Sequence, residues 1–419
     1  MTAIDTVSPP KLRRRLSLML VVLYGLGVTI GAGIYVLIGA TAGRAGMHAP
    51  IAFVLAAIVM AFSAATFCEL VVRFPVSAGE SAYVRAGFRS NTLALLVGAA
   101  VMLGGTVSAA TISLGSAGYI GAFLDPILTI DRRILTVVVV VAVAGVACIG
   151  ILESVVFAGI MTLVEVGGLI AVIVGGIAGA PDLLARLPEV IPASFDATLW
   201  SGAIGATLLA FFAFIGFEDM VNVAEEVRDP ERTMPRAIFI TLGLATLLYF
   251  LVATIAVLNV PLDALAQSPA PLGLVFGAVT TLPPSIIALI ATIATVNGII
   301  IQMIMASRVL YGMSDQGTIP GAIGRFLGQV SERTGTPVIA TIAVAIAVGI
   351  LATSFPIERL AGATSQIVLS IFVMVNLALI ALKWRERGSI QPKPLRFHVP
   401  TGVPIAGAVL SLALVILGG

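Results

Sequence analysis

The chain has 419 residues, 59% of them hydrophobic and 11% charged, with a mean hydropathy of +1.12 and a formal net charge of +2. Soluble domains carry about 25% charged residues, so this composition excludes an ordinary soluble enzyme and indicates a polytopic helical protein embedded in a lipid bilayer. The small net charge carries no signal for nucleic acid, and no nucleic-acid partner is expected.

Charge-free runs place spans near residues 17–43, 50–72, 90–123, 133–152, 154–179, 198–225, 236–258, 284–312, 337–355, 361–382 and 402–419. The first, Leu16 to Gly43, exceeds the roughly 20 residues that cross a hydrocarbon core. It is too long for a cleavable signal peptide and lacks a clear small-residue cleavage site. Its middle reads Gly27-Val28-Thr29-Ile30-Gly31-Ala32-Gly33. Each glycine lowers helix stability by about 1 kcal/mol relative to alanine, which predicts a break at mid-depth. Unpaired backbone at that depth is tolerated only where it lines a protein cavity or holds a ligand. A tilted, kinked helix packed through small residues is the alternative reading.

Span 2 ends in Glu69 and Arg73, read as a simple interfacial i,i+4 pair. Span 3 presents the hydroxyls of Thr106, Ser108, Thr111, Ser113 and Ser116, and span 10 offers Ser365, Gln366, Ser370 and Asn376. Most such residues make ordinary helix–helix hydrogen bonds. Span 5 carries Glu165 between long uncharged stretches. A charge near the bilayer centre costs roughly 3 kcal/mol on insertion scales. Glu165 is therefore expected to face the bundle interior, as a proton carrier, a cation partner or a hydrogen-bonded structural acid.

Span 6 contains Phe211-Phe212-Ala213-Phe214-Ile215-Gly216-Phe217-Glu218-Asp219. Glu218 reads like Glu165, with the further options of capping a half-helix or simply marking the end of the span. Asp219, Glu225 and Glu226 are assigned to that cytoplasmic end. Threading the spans alternately puts most of the 23 basic residues on one side, among them Lys11, Arg13, Arg14, Arg15, Arg73, Arg85, Arg89, Arg228, Arg232, Arg236, Lys383, Arg385, Arg387, Lys393 and Arg396. Arg44, Arg132, Arg133, Arg186 and Arg359 fall on the other. The positive-inside rule then places the N-terminus in the cytoplasm of a plasma (inner) membrane, multi-pass protein.

Gly31 and Gly216 each fall in the first helix of a five-span block. An odd number of spans gives two such blocks opposite topology, the pattern of an inverted-repeat transporter with both first helices broken. The expected organisation is a cytoplasmic segment 1–16 and a transport core 17–382, with repeats at about 17–180 and 198–382. A cytoplasmic loop 383–401 and an eleventh span 402–419 follow. Cys68 and Cys148 sit in or beside apolar spans and form no disulfide framework. His48 and His398 lie in loops, which sets aside histidine-ligated haem or metal. No Walker-type phosphate loop is present, and no nucleophile–base pair marks an enzyme. No cofactor or metal is expected.

Four stretches in order carry a family resemblance: Gly27 to Tyr35; Phe212 to Glu218, followed by Glu225-Glu226-Val227-Arg228-Asp229-Pro230-Glu231-Arg232-Thr233-Met234-Pro235; Ser307 to Pro320; and Gly335-Thr336-Pro337-Val338. The chain resembles a permease of the amino acid–polyamine–organocation (APC) superfamily, covering about residues 17 to 382. The resemblance implies an all-α, leucine-transporter-like 5+5 inverted repeat with broken spans 1 and 6 and at least one extra C-terminal span. It implies that amides around Ile30, Gly31, Ala32 and Gly33 bind a substrate carboxylate, where a half-helix N-terminus favours an anion. Carbonyls around Val28, Thr29, Phe214 and Ile215, beside Gly216, would meet the α-amino group. Phe212 matches an aromatic that closes over substrate, and Glu218 an acid that acts in proton coupling.

One departure is that Glu165 stands where proton-coupled relatives carry a lysine, leaving H⁺ or Na⁺ as the coupling ion. A second is that most relatives have twelve spans rather than eleven. The expected function is proton-coupled uptake of an amino acid by alternating access, with a neutral amino acid preferred over a cationic one or a polyamine. Exchange of two metabolites through the same pocket is the alternative, and a channel or solute sensor a third.

Overall fold

The computed structural model describes residues 16–75, 79–124, 128, 130–149, 155–180, 182–192, 197–315, 319, 321–386 and 395–418. The basic residues Lys11, Arg13, Arg14, Arg15, Arg387 and Lys393, and positions 316–318 and 320 of the third motif, lie outside these. The described residues form an all-helical bundle. Its first five spans are α1 (Leu18–Ile30) with α2 (Gly33–Ala45), α3 (Ala49–Arg73), α5 (Asn91–Leu124), α6 (Arg132–Ile149) and α7 (Val155–Gly179), with α4 (Gly79–Phe88) and α8 (Leu183–Arg186) in the connections. The second five are α9 (Ala197–Phe212) with a 3-10 stretch Phe217–Glu226, α10 (Pro230–Asn259), α13 (Ser285–Asp315), α15 (Val338–Ser354) and α16 (Ile357–Glu386). The short helices α11 (Leu262–Gln267), α12 (Pro271–Val279) and α14 (Gly321–Leu327) lie between them, and α17 (Gly402–Leu417) follows. Eight helical stretches are long and apolar enough to cross a membrane, and three shorter apolar helices, α1, α15 and α17, complete the set.

Spans 1 and 6 are both interrupted, for different local reasons. In span 1 the helix stops at Ile30 and restarts at Gly33, with Ala32 at φ −127° and no side-chain cap. In span 6 a run of turns from Ala213 leads to Gly216 at φ +124°, a backbone region that favours glycine. Helix then resumes only as 3-10 turns, which seldom exceed three or four residues. The two breaks touch. A Cβ on Gly33 would lie 2.3 Å from the Ala213 Cα, and a Cβ on Gly216 would lie 2.6 Å from the Val28 carbonyl oxygen. The glycines thus permit one break to pack its backbone directly on the other.

Around the breaks the core is closed by aromatic contacts. Phe67 packs edge-on against Phe217, Phe372 and Tyr83, which ties span 2 to spans 6 and 10. Tyr119 donates its hydroxyl to the Tyr35 carbonyl at 2.6 Å and accepts the Leu272 amide at 3.2 Å, fastening α2 to α5 and α12. Asn376 donates to the Ser63 hydroxyl at 3.0 Å and accepts the Thr66 hydroxyl at 2.6 Å, so α3 and α16 are joined by a buried polar bridge. Several hydroxyls of span 3 bond their own helix: Thr106 to Met102, Thr111 to Val107 and Ser113 to Ala109.

The basic end of the molecule departs from expectation at Glu69. It is fully buried, and receives Arg73, Lys383 at 2.7 Å and the Val399 amide at 2.8 Å. Arg73 also reaches Glu386, and Lys383 donates to the Val399 carbonyl. The simple interfacial pair is therefore replaced by a buried network, because Lys383 and the chain after α16 fold over the end of α3. Arg385 bonds the Ala86 carbonyl, and Leu16 pairs with Glu226 and Arg228, so these basic segments share one end. At the other end His48 bonds the Val190 carbonyl and Arg186 bonds Glu189 and the Leu258 carbonyl.

Two substitutions test this account. Lys383→Met leaves Glu69 buried with less compensation, and removing one partner of a buried ion pair costs about 3–5 kcal/mol. A lowered thermal midpoint in detergent is expected, partly restored in the Glu69→Gln, Lys383→Met double variant. Gly216→Ala forces a side chain into an unfavourable φ and against Val28, at about 1–3 kcal/mol. Its midpoint and its substrate uptake should both fall, whereas Gly243→Ala, with nothing within 4 Å of the added Cβ, should leave both intact.

Candidate functional site

Where the two breaks meet, a cavity of about 20 Å³ is lined by Gly27, Val28, Thr29, Ala32 and Gly33 from span 1, and by Phe212 and Ile215 from span 6. Ser108 and Ile112 of α5 and Gly298, Ile301 and Gln302 of α13 complete the wall. That volume holds a water molecule and is too small for an amino acid. The described conformation is therefore closed around the site, and occupation by a larger molecule requires the lining side chains to move apart.

The polar groups at this point are mostly backbone. The first-turn amides of α2 have no intrahelical acceptors, and Ala32, at the cap position, has no side chain that could accept from them. They carry the positive end of the α2 dipole, which suits a carboxylate. The last carbonyls of α9, at Ala210, Phe211 and Phe212, accept the amides of Ala213, Phe214 and Ile215 in tight turns, which leaves the Thr29 and Ala213 carbonyls to other donors. The Tyr249 hydroxyl of α10 lies 2.9 Å from the Thr29 carbonyl and 2.8 Å from the Ala213 carbonyl. A phenol has one proton to donate, so it serves one of these carbonyls at a time. The other retains a lone pair suited to an ammonium group. The Thr29 hydroxyl is buried and has no hydrogen-bond partner among the described residues.

Val28, Thr29, Ala32, Gly33, Phe212 and Ile215 thus come together on one cavity. Ile30 and Gly31 lie at the end of α1 behind it; the Gly31 amide is still held by the Gly27 carbonyl at 3.2 Å. Phe214 is fully buried and packs edge-on against Tyr249 at 4.9 Å, away from the cavity wall. Gly216 sits against Val28, and its amide donates to the Glu218 carboxylate at 2.9 Å.

Glu218 is buried, with 7% exposure. It lines a second small cavity, of about 30 Å³, with Asp219, Glu80, Ser108, Ile215 and Gln302. Ser108, Ile215 and Gln302 are common to both cavities. Asp219, assigned to the cytoplasmic end of span 6, lies within the 3-10 stretch and lines this cavity as well. Glu80, on α4 outside the spans, has its carboxyl pushed up to about 7 by burial and by Asp219 nearby. Glu165 is fully buried on α7 and lines neither cavity. It stands one turn from Thr162, which faces Gly27, and its backbone carbonyl accepts the Tyr35 hydroxyl at 2.6 Å.

Sequence reasoning missed Tyr249, Gln302, Gly298 and Glu80. Tyr249 and Gln302 carried a usable signal, since a buried phenol or amide inside an apolar span needs a partner. Among the described residues no group of three or more histidine, cysteine, aspartate or glutamate side chains is arranged to hold a metal ion.

The chain has counterparts among known proteins. The family model for amino acid permeases matches residues 16–418. The branched-chain amino acid permease BcaP of Bacillus subtilis is 27% identical, covering 96% of this chain and 86% of BcaP. An uncharacterized transporter of Mycobacterium tuberculosis is 31% identical, over 97% of this chain and 87% of that protein. The vacuolar cationic amino acid transporter 4 of Arabidopsis thaliana is 29% identical, over 97% of this chain and 67% of the plant protein. Among solved structures, a Na⁺-coupled sialic acid symporter in a substrate-bound, outward-open state aligns with a TM-score of 0.58 at 14% identity, covering 94% of this chain and 88% of the symporter, and so shares the fold. With two broken spans meeting at a closed cavity and a family match over nearly its whole length, the chain belongs to the amino acid permease family of the APC superfamily.

Proposed function

We propose that this protein is a secondary active transporter that takes up an amino acid by alternating access around the cavity between spans 1 and 6, driven by protons. The observation that carries this reading is the Tyr249 hydroxyl poised between the Thr29 and Ala213 carbonyls, opposite uncapped amides of α2. This arrangement offers amide donors for a carboxylate and carbonyl acceptors for an ammonium at the two breaks, beside a cavity with no charged side chain on its wall. A zwitterion neutralises itself across such a pair of dipoles. A neutral amino acid fits best, and the specificity that BcaP's name gives it for branched-chain amino acids agrees with the apolar wall of Phe212, Ile215, Ile112 and Ile301. The relatives named for cationic amino acids favour a second reading, in which Glu218 and Asp219 beyond the first cavity balance a basic side chain.

Coupling is assigned to Glu218. Its carboxylate holds the Gly216 amide at the break, so gaining a proton weakens the tie that shapes the break when substrate is present. Glu165, buried beside the first half of span 1, is the second acid in this scheme and the alternative site for H⁺ or Na⁺. The positive-inside rule orients the Arg73, Arg228 and Lys383 end toward the cytoplasm.

The deciding experiment is uptake of a labelled amino-acid panel by purified protein in liposomes under an inward proton gradient. Gradient-driven accumulation of a branched-chain amino acid is expected. Uptake only into liposomes preloaded with amino acids would replace this reading with an exchanger. Glu218→Gln should abolish pH-driven accumulation while leaving exchange, and unchanged accumulation would remove Glu218 from coupling. Tyr249→Phe leaves buried carbonyls without their donor, a loss of about 1–3 kcal/mol. A several-fold drop in uptake, measured at equal amounts of folded protein, is expected.

A further inference from the structure

At the basic end, a groove of about 630 Å³ opens on the outside of the bundle between the start of α10 and the segment that follows α16. Its volume is typical of a small-molecule site, about 300–1,000 Å³, and far larger than either cavity at the breaks. Arg232, Arg236 and Arg396 line it, with Glu231 as the one carboxylate, beside the rings of Phe239 and Phe397, 6.2 Å apart. The charges are unevenly matched. Arg396 is shared between Asp229 at 3.3 Å and Glu231 at 3.7 Å. Arg232 and Arg236 have no carboxylate within ion-pair distance among the described residues. Two guanidiniums therefore stand over the groove without a counter-ion from the described protein.

What lies beside them identifies the occupant. Arg232 and Arg236 are exposed and one turn apart, and the same face of α10 continues through Phe239 and Ile240 to Leu244 and Leu247, all exposed. A run of large apolar side chains left open on a spanning helix faces hydrocarbon. The arginines thus stand at the headgroup level of the very stripe that meets acyl chains. Planar guanidiniums bind phosphate oxygens in a bidentate fork, and basic pockets at the cytoplasmic membrane face are suited to anionic lipid headgroups. A soluble anion would use the arginines and ignore the apolar stripe below them; a phospholipid uses both.

We propose that this groove is a binding site for an anionic phospholipid, with its phosphate on Arg232 and Arg236 and its acyl chains along Phe239, Ile240, Leu244 and Leu247. Arg396 and Phe397, brought in by the segment after α16, form the far wall, so the bound lipid bridges α10 to that segment. The site is separate from the transport cavity, and it does not depend on which amino acid or ion the protein carries.

The test is native mass spectrometry of the purified full chain in detergent, with phosphatidylglycerol or phosphatidylcholine of identical acyl chains added in turn. Phosphatidylglycerol should be retained about tenfold more than phosphatidylcholine. The double variant Arg232→Gln, Arg236→Gln should bring the two to the same level, and Arg232→Lys, Arg236→Lys should keep most of the preference. Equal retention of both lipids by the unaltered protein, or an undiminished preference in the glutamine variant, overturns the proposal. So does full displacement of phosphatidylglycerol by millimolar glycerol phosphate, which would make this a site for soluble anions. A second measurement needs no variant: phosphatidylglycerol carrying a diazirine in its acyl chain should crosslink to residues 239–247 of the unaltered protein. Crosslinks confined to other helices would refute the site even if the glutamine variant fails to fold.

Discussion

Backbone amides and carbonyls inside a bilayer have to find partners within the protein, and the architecture of this permease follows from that requirement. An unbroken helix meets it alone. A helix interrupted at mid-depth does not, and here the span 6 break turns back on its own preceding carbonyls while Tyr249 serves a carbonyl of each break. Gly33 and Gly216 let the two chain segments approach to backbone contact, which leaves between them a cavity of about 20 Å³. Tyr249 supplies one donor for two carbonyls, and the α2 amides are left without a cap. The two breaks in this sense leave a small, shielded deficit of hydrogen bonds, which the proposed function assigns to a molecule bearing both a carboxylate and an ammonium.

The remaining structure holds that deficit in register. The aromatic cluster of Phe67, Phe217 and Phe372 packs beneath span 6 where regular helix gives way to 3-10 turns, a segment whose own hydrogen bonding is poor. Tyr119 and Tyr35 pin the second half of span 1 to its neighbours. The first half is held at its start by Leu16 against Val227. Each half of span 1 is thus anchored separately, with the break as the only covalent link between them.

Much of this was legible in the amino-acid sequence, and the limits have physical causes. The spans follow from hydrophobic run length, and the two breaks from clustered glycines, because in a membrane both features have large energetic consequences. Val28, Thr29, Ala32, Gly33, Phe212 and Ile215 do share one cavity. That Asp219 shares a cavity with Glu80 and Glu218 was not legible, since 3-10 winding from Phe217 to Glu226 shifts side-chain directions relative to an α-helix. Glu80 lies in a connecting segment that hydropathy treats as loop. Glu69 and Arg73 look like a surface pair at i,i+4 spacing; nothing local reveals that Lys383, more than three hundred residues away in the chain, completes a buried network. Tyr249 is hidden by its neighbours, Leu247, Leu248 and Phe250, which make it read as one more apolar residue.

The clasp at Glu69 ties α17, the eleventh span, into the bundle. Lys383 and the Val399 amide both grip the same carboxylate, and Val399 lies only three residues before α17. Gly407 of α17 in turn abuts the Asn376 side chain, where a Cβ would come within 2.6 Å. Helix α3 from the first repeat, α16 from the second and α17 from outside both are consequently harnessed at one end. Any rocking of α3 against α16 during a transport cycle must either unfasten this clasp or drag α17 along. The helix beyond the repeats is thus tied, through one carboxylate and one close packing contact, to a helix of each repeat.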